Sequence, residues 1–162
     1  MTVQQAQSPS EPSAIRSRFP ISAKTISYLL VFIGLGISVY LSYVKLTEVP
    51  MACPATGGFS CGTVQGSVYA ELWGIPIAWL GLAVNILILG LLILEDRIPF
   101  LQENGLLLLF GLVLFAGLYS AYLIYVQGII LEAWCMWCLL HEAYIFALLI
   151  VTGWRLRNNL FA

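Results

Sequence analysis

The chain has 162 residues, of which 60% are hydrophobic and 9% charged, and its mean hydropathy is +0.93. A soluble domain is nearer half apolar and a quarter charged, so this composition excludes an ordinary soluble protein and indicates an integral membrane protein. The net charge of -1 rests on so few ionisable groups that it argues against nucleic acid as a partner and otherwise leaves only their placement to interpret.

Residues 1 to 23 are rich in Gln, Ser and Pro and have little to bury, which predicts a disordered tail. Arg16, Arg18 and Lys24 lead into an apolar run with no small-residue cleavage site, so the first helix is expected to stay uncleaved. Four runs then approach the roughly 20 apolar residues that a helical crossing requires. They are Ile26 to Val44, Ile75 to Leu94, Leu106 to Val126 and Cys135 to Trp154. None alternates apolar with polar residues, which argues against a barrel. The expected fold is an all-α membrane protein, a four-transmembrane-helix bundle over residues 24 to 160.

In the first span, Gly34, Gly36, Ser38 and Ser42 read as close-packing positions between helices. The loop that follows carries Cys53 and Cys61, separated by Pro54, Gly57 and Gly58, which allow the segment to turn back on itself. A short amphipathic helix near the interface is expected from about Ser67 to Leu72, ahead of Gly74 and Pro76. Asn85 in the second span reads as a bond to a neighbouring helix more than to a ligand. The fourth span opens with "WCMWCLLHEAY", where Cys135 and Cys138 form a C-x-x-C and His141 and Glu142 follow one turn later. A glutamate inside a span is costly and is a functional suspect by default. Trp73, Trp79, Trp134 and Trp137 gather at the same end, as an interfacial belt would.

Six basic residues (Arg16, Arg18, Lys24, Arg97, Arg155 and Arg157) flank the spans on one side, and Lys45 alone lies on the other. The positive-inside rule therefore predicts both termini in the cytoplasm and all four cysteines at the exported face. That face is oxidising in a prokaryotic plasma membrane, so disulfides persist there. Four cysteines allow three pairings, which spacing leaves open.

Residues i and i+3 on a helix stand about 5 to 6 Å apart at Cβ, slightly wider than the ~3.8 Å a relaxed disulfide prefers. A Cys135 to Cys138 bridge is thus expected to form and to be readily reduced. The amino end of a helix also favours a thiolate, and Cys135 is placed to benefit. Dithiol exchange is the favoured reading over static disulfides and over a four-thiolate metal centre, because only one pair has the close spacing of a zinc ribbon.

Taken together, Cys53 and Cys61, the stretch "CGTVQGSVYAELWGIP" with Ser67 six residues after Cys61, and "WCMWCLLHEAY" resemble the prokaryotic form of the vitamin K epoxide reductase family, from about Lys24 to Leu160. The resemblance implies an oxidoreductase that passes electrons from a thioredoxin-like or DsbA-like exported protein to a quinone of ubiquinone, menaquinone or phylloquinone type. It further implies a disulfide between Cys53 and Cys61 that takes electrons from the partner, exchange of Cys61 with Cys135, and a Cys135 to Cys138 pair that meets the quinone. Cys138 would lie next to the ring and Ser67 would hydrogen-bond its oxygen. Many prokaryotic members carry a fused thioredoxin-like domain, whereas this chain ends at Ala162, so a separate donor is expected. The resemblance also implies a plasma or thylakoid membrane. A DsbB-type enzyme has its C-x-x-C in the first exported loop, the reverse of the order here. A non-catalytic tetraspan subunit with static disulfides is the alternative of a different class.

Overall fold

The computed structural model describes residues 21 to 54 and 56 to 161, so the expected tail falls outside the described residues up to position 20. Among the described residues, four long helices are apolar enough to cross a membrane. They are α1 (Ile21–Thr47), α3 (Ile77–Leu94), α4 (Pro99–Tyr125) and α5 (Met136–Leu160), and a five-residue α2 (Cys61–Gln65) lies between the first two. The expected spans all appear, with α1, α4 and α5 extended beyond the strictly apolar runs. At about 1.5 Å per residue, the 27 residues of α1 reach beyond a hydrocarbon core of about 30 Å.

The helices pack in a ring: α1 contacts α3 and α5, and α4 contacts the same two. Packing follows side-chain size. On α1 the buried face is Ala23, Ser27, Val31, Gly34, Ser38 and Leu41, spaced three or four apart, while Leu29, Phe32, Ile33 and Val39 face outward. In lipid the outward leucines lose nothing, so small residues that let helix backbones approach determine which face turns in. Gly34 illustrates this, because an added Cβ would overlap the Tyr144 ring of α5. Gly36 does not, since nothing lies within 4 Å of its would-be Cβ. The close-packing expectation therefore holds at Gly34 and not at Gly36. Val31, Ile88, Leu92, Leu109, Val113, Tyr144, Ile145 and Leu148 form the apolar centre.

One end of the bundle is tied by charge. Arg155 of α5, fully buried, donates to both carboxylate oxygens of Glu95 at 2.9 and 3.2 Å, and Lys24 of α1 pairs with Asp96 at 2.5 Å. The turn between α3 and α4 is thus held to α1 and α5.

The opposite end carries the cysteines. Here the segment expected as a helix from Ser67 to Leu72 takes a different form. A short 3-10 turn (Val68–Ala70) leads into a hairpin of β1 (Glu71–Leu72) and β2 (Ile75–Pro76). Trp73 and Gly74 at its tip have φ of 53° and 81°, the left-handed pair that a two-residue hairpin turn requires. The Gly74 turn and the Pro76 that follows it end any helix here. Lys45 pairs with Glu71 at 3.2 Å and donates to the Gln65 carbonyl at 3.2 Å, which secures the hairpin to α1.

Candidate redox site at one end of the bundle

Each inner cysteine is positioned by its local backbone. Cys61 opens α2, and Cys135 is the N-cap of α5, with φ −111° and ψ 111°. The Cys135 Sγ accepts from the Cys138 N–H at 3.3 Å, so sulfur takes the place that a serine or aspartate oxygen usually fills. The disulfides are Cys53 to Cys61 and Cys135 to Cys138, with Cα separations of 6.1 and 5.2 Å. Both fall in the ordinary range.

A patch of backbone pairing brings the two disulfides together. Ser60 N–H donates to the Trp134 carbonyl at 2.9 Å, and Trp134 N–H donates to the Gly58 carbonyl at 3.2 Å. Trp134 takes part in both pairings and lies immediately before Cys135, and Ser60 lies immediately before Cys61. Cys61 and Cys135, both almost fully buried, pack in one cluster with Val64 and Ala133, and Cys53 and Cys138 lie at its edge, partly exposed. Trp137 completes the fit. Its indole N–H donates to the Ala52 carbonyl at 2.7 Å and its ring rests on Tyr40 at 4.6 Å, so the residue before Cys53 is tied to α1 and α5. Of the four tryptophans at this end, Trp134 and Trp137 build the site. Trp73, 94% exposed, and Trp79 face outward as a belt would.

Below the cysteines lies an apolar cavity of about 400 Å³, bounded by α1, α3, α4, α5 and the stretch from Val64 to Leu72. That volume and lining suit a small organic ring. Its walls are mostly Leu, Val, Ala and Ile, with polar groups among them that include Gln65, Ser67, Tyr119, Gln127, His141 and Glu142. Cys138 also lines it, and so the C-x-x-C has one sulfur in the protein interior and the other at the cavity wall. Ser67 is also in the cavity wall, where its hydroxyl donates to the Val64 carbonyl at 2.8 Å. It would have to turn to donate to an occupant.

Three polar connections at the site were not legible in the chain order. Gln65 donates its amide N–H to Cys138 Sγ at 3.4 Å. Gln127 accepts the Cys135 backbone N–H at 3.0 Å and donates to Glu142 at 3.1 Å. It belongs to a π-helical turn (Val126–Ile130) that closes α4, a local irregularity of the kind often found at functional sites. The signal for Gln127 was a glutamine at the end of an otherwise apolar run. Asn85 is a fully buried hub. Its amide contacts Ser38 of α1 at 2.7 Å and His141 of α5 at 3.1 Å, and its carbonyl accepts from the Tyr144 hydroxyl. The expected link between helices is present, and it also holds His141, which lines the cavity.

Among the described residues, no three His, Cys, Asp or Glu side chains converge in a group that could hold a metal. The family model described as the vitamin K epoxide reductase family matches residues 25–153. The chain is also 32% identical over 114 residues to the thiol-disulfide oxidoreductase LTO1 of Arabidopsis thaliana. That alignment covers 67% of this chain and 30% of the plant protein, so the chain spans less than a third of that relative's length.

Proposed function

Because the chain belongs to the vitamin K epoxide reductase family, we propose that it is a membrane thiol-disulfide oxidoreductase that oxidises an exported dithiol protein, thioredoxin-like or DsbA-like, and reduces a membrane quinone. Residues 24 to 160 are the working unit in this reading, and the cysteines face the oxidising side of a plasma or thylakoid membrane. The observation that carries it is the position of Cys138: its sulfur borders an apolar cavity while its disulfide partner packs in one cluster with Cys61.

In this reading electrons enter at Cys53, the more exposed sulfur of the loop pair. A donor thiolate attacks Cys53 and releases Cys61 as a thiolate, and the donor's second thiol then resolves the mixed disulfide, which leaves the donor oxidised and both loop cysteines reduced. Cys61 attacks Cys135, and Cys138 leaves as a thiolate. Cys53 next attacks Cys61, which restores the loop disulfide and frees Cys135 and Cys138 as a dithiol. When that dithiol closes again it gives up two electrons and two protons, the number a quinone takes up in becoming a quinol. The N-terminus of α5, where the Cys138 N–H points at the Cys135 sulfur, favours the thiolate form of Cys135.

The protein's own residues fit a quinone in two respects. The cavity is apolar enough to draw a ring from lipid, and Ser67, Tyr119 and His141 supply hydroxyl and imidazole groups at its wall. Lipid-phase access is supported by the many outward apolar side chains of α3 and α4.

The test is purified protein in nanodiscs, mixed with dithiothreitol and decylubiquinone while quinone absorbance is followed. Turnover that vanishes in Cys138→Ala is expected. Absence of quinone-dependent thiol oxidation in the unmodified protein would leave static disulfides as the better reading.

A further inference from the structure

Of the buried ionisable groups Glu142, Tyr144 and Arg155, which the relay described above leaves unused, Glu142 alone lines the cavity. Glu142 is 3% exposed, sits four residues after Cys138 and so on the same face of α5, and lines the cavity with Cys138. One carboxyl oxygen accepts from Gln127 at 3.1 Å. The other, Oε2, is buried and has no hydrogen-bond partner among the described residues. A carboxyl group at membrane depth with an empty acceptor position is costly unless it serves a purpose.

We propose that Glu142 is the proton-carrying group between the C-x-x-C and the cavity occupant. The inference rests on the quinone-reducing function proposed above. No lysine or arginine is among the described residues lining the cavity. The titratable groups that face it are Cys138 and His141 from α5, Tyr119 from α4 and Tyr69 from the loop. Of these, His141 Nε2 already contacts Asn85 at 3.1 Å. A carboxylate here has no cation to offset it, so the group enters the cycle carrying a proton. Closing the Cys135 to Cys138 disulfide releases two electrons and two protons. Glu142 hands its proton to an oxygen of the quinone as that oxygen gains charge, and takes up a proton released by the Cys138 thiol. The second thiol proton goes to the other quinone oxygen, so the carboxyl returns to its starting state and the balance closes.

Gln127 couples the two partners. Its carbonyl accepts the Cys135 N–H and its amide donates to Glu142, so one side chain holds both the capping cysteine and the carboxyl in place. This orients the open Oε2 without neutralising it by an ion pair.

The experiment uses the full chain in nanodiscs with dithiothreitol and decylubiquinone, comparing the unmodified protein with Glu142→Gln and Glu142→Asp. Glu142→Gln keeps the shape and the contact with Gln127 but cannot release a proton. Labelling of free thiols should show both disulfides reduced to completion by dithiothreitol in all three, so that re-oxidation starts from the same state in each. Re-oxidation by the quinone should slow by about 100-fold in Glu142→Gln, with KM for quinone changed less than threefold and partial rescue in Glu142→Asp. The redox difference infrared spectrum should contain a carboxylic acid C=O band that Glu142→Gln removes. Re-oxidation of Glu142→Gln at the unmodified rate, or absence of that band, overturns the proton role and leaves the proposed activity standing. Absence of quinone turnover in the unmodified protein overturns both.

Discussion

Ser60 and Trp134 are joined through the backbone: the Ser60 N–H donates to the Trp134 carbonyl at 2.9 Å. The two residues lie immediately before Cys61 and Cys135, so this contact sets the approach of the inner thiols. Ser60 has φ of −141°, far from the roughly −65° that proline imposes, and proline lacks the donor. Ser60→Pro is therefore expected to slow electron passage from the loop pair to the C-x-x-C by about tenfold, the kinetic equivalent of one net hydrogen bond. Quenched-flow trapping of thiols after a pulse of reductant measures the step. An unchanged rate would mean that the backbone pairing does not position the sulfurs.

Cys53→Ala should expose the exchange directly. In the proposed relay, Cys61 without its resolving thiol attacks Cys135, so the mixed disulfide should accumulate. Peptide mapping by mass spectrometry under non-reducing conditions should find Cys61 joined to Cys135. A Cys61 to Cys138 product would contradict the packing of Cys61 and Cys135 in one buried cluster.

At the opposite end, Arg155 is 1% exposed and pairs with Glu95. Removing one partner of a buried pair leaves the other charge without its main counterion, so Glu95→Ala is expected to destabilise the bundle by about 3 kcal/mol. Reversible denaturation in mixed micelles measures it. Because the pair is distant from the cavity, the variant's KM for quinone should stay close to that of the unmodified protein; a large change would mean that the two ends are coupled.

Gly34 and Tyr144 make a matched close contact between α1 and α5. Gly34→Ala should cost about 1 to 3 kcal/mol, the usual penalty for overpacking. Most of that cost should disappear when Tyr144→Ala is introduced first, and a double-mutant cycle of unfolding free energies measures the coupling. Additive effects would show that the contact is not what limits the approach of the helices.

The four spans were legible because crossing a membrane depends on transfer free energy summed along a contiguous segment, and that sum needs no knowledge of neighbours. The C-x-x-C at the edge of the fourth span and the pair in the loop after the first span were legible for the same reason, since spacing and span edges are properties of the chain order. Boundaries were less so. The stretch from Ser67 to Leu72 has an amphipathic pattern, but the left-handed Trp73 and Gly74 turn and the Lys45 contacts make it a hairpin.

Residue types and their order along the chain thus determined that this is a four-span bundle with paired thiols at one end. Which sulfur borders the cavity, which carboxyl oxygen remains open and which helices meet at Asn85 were decided by the tertiary structure alone. Those contacts join residues distant in the chain, such as Asn85 with Ser38 and Gln65 with Cys138, separated by 47 and 73 positions. A hydrogen bond is specified by two faces meeting at the right rotation and depth, and a one-dimensional pattern supplies each face without saying what it will meet.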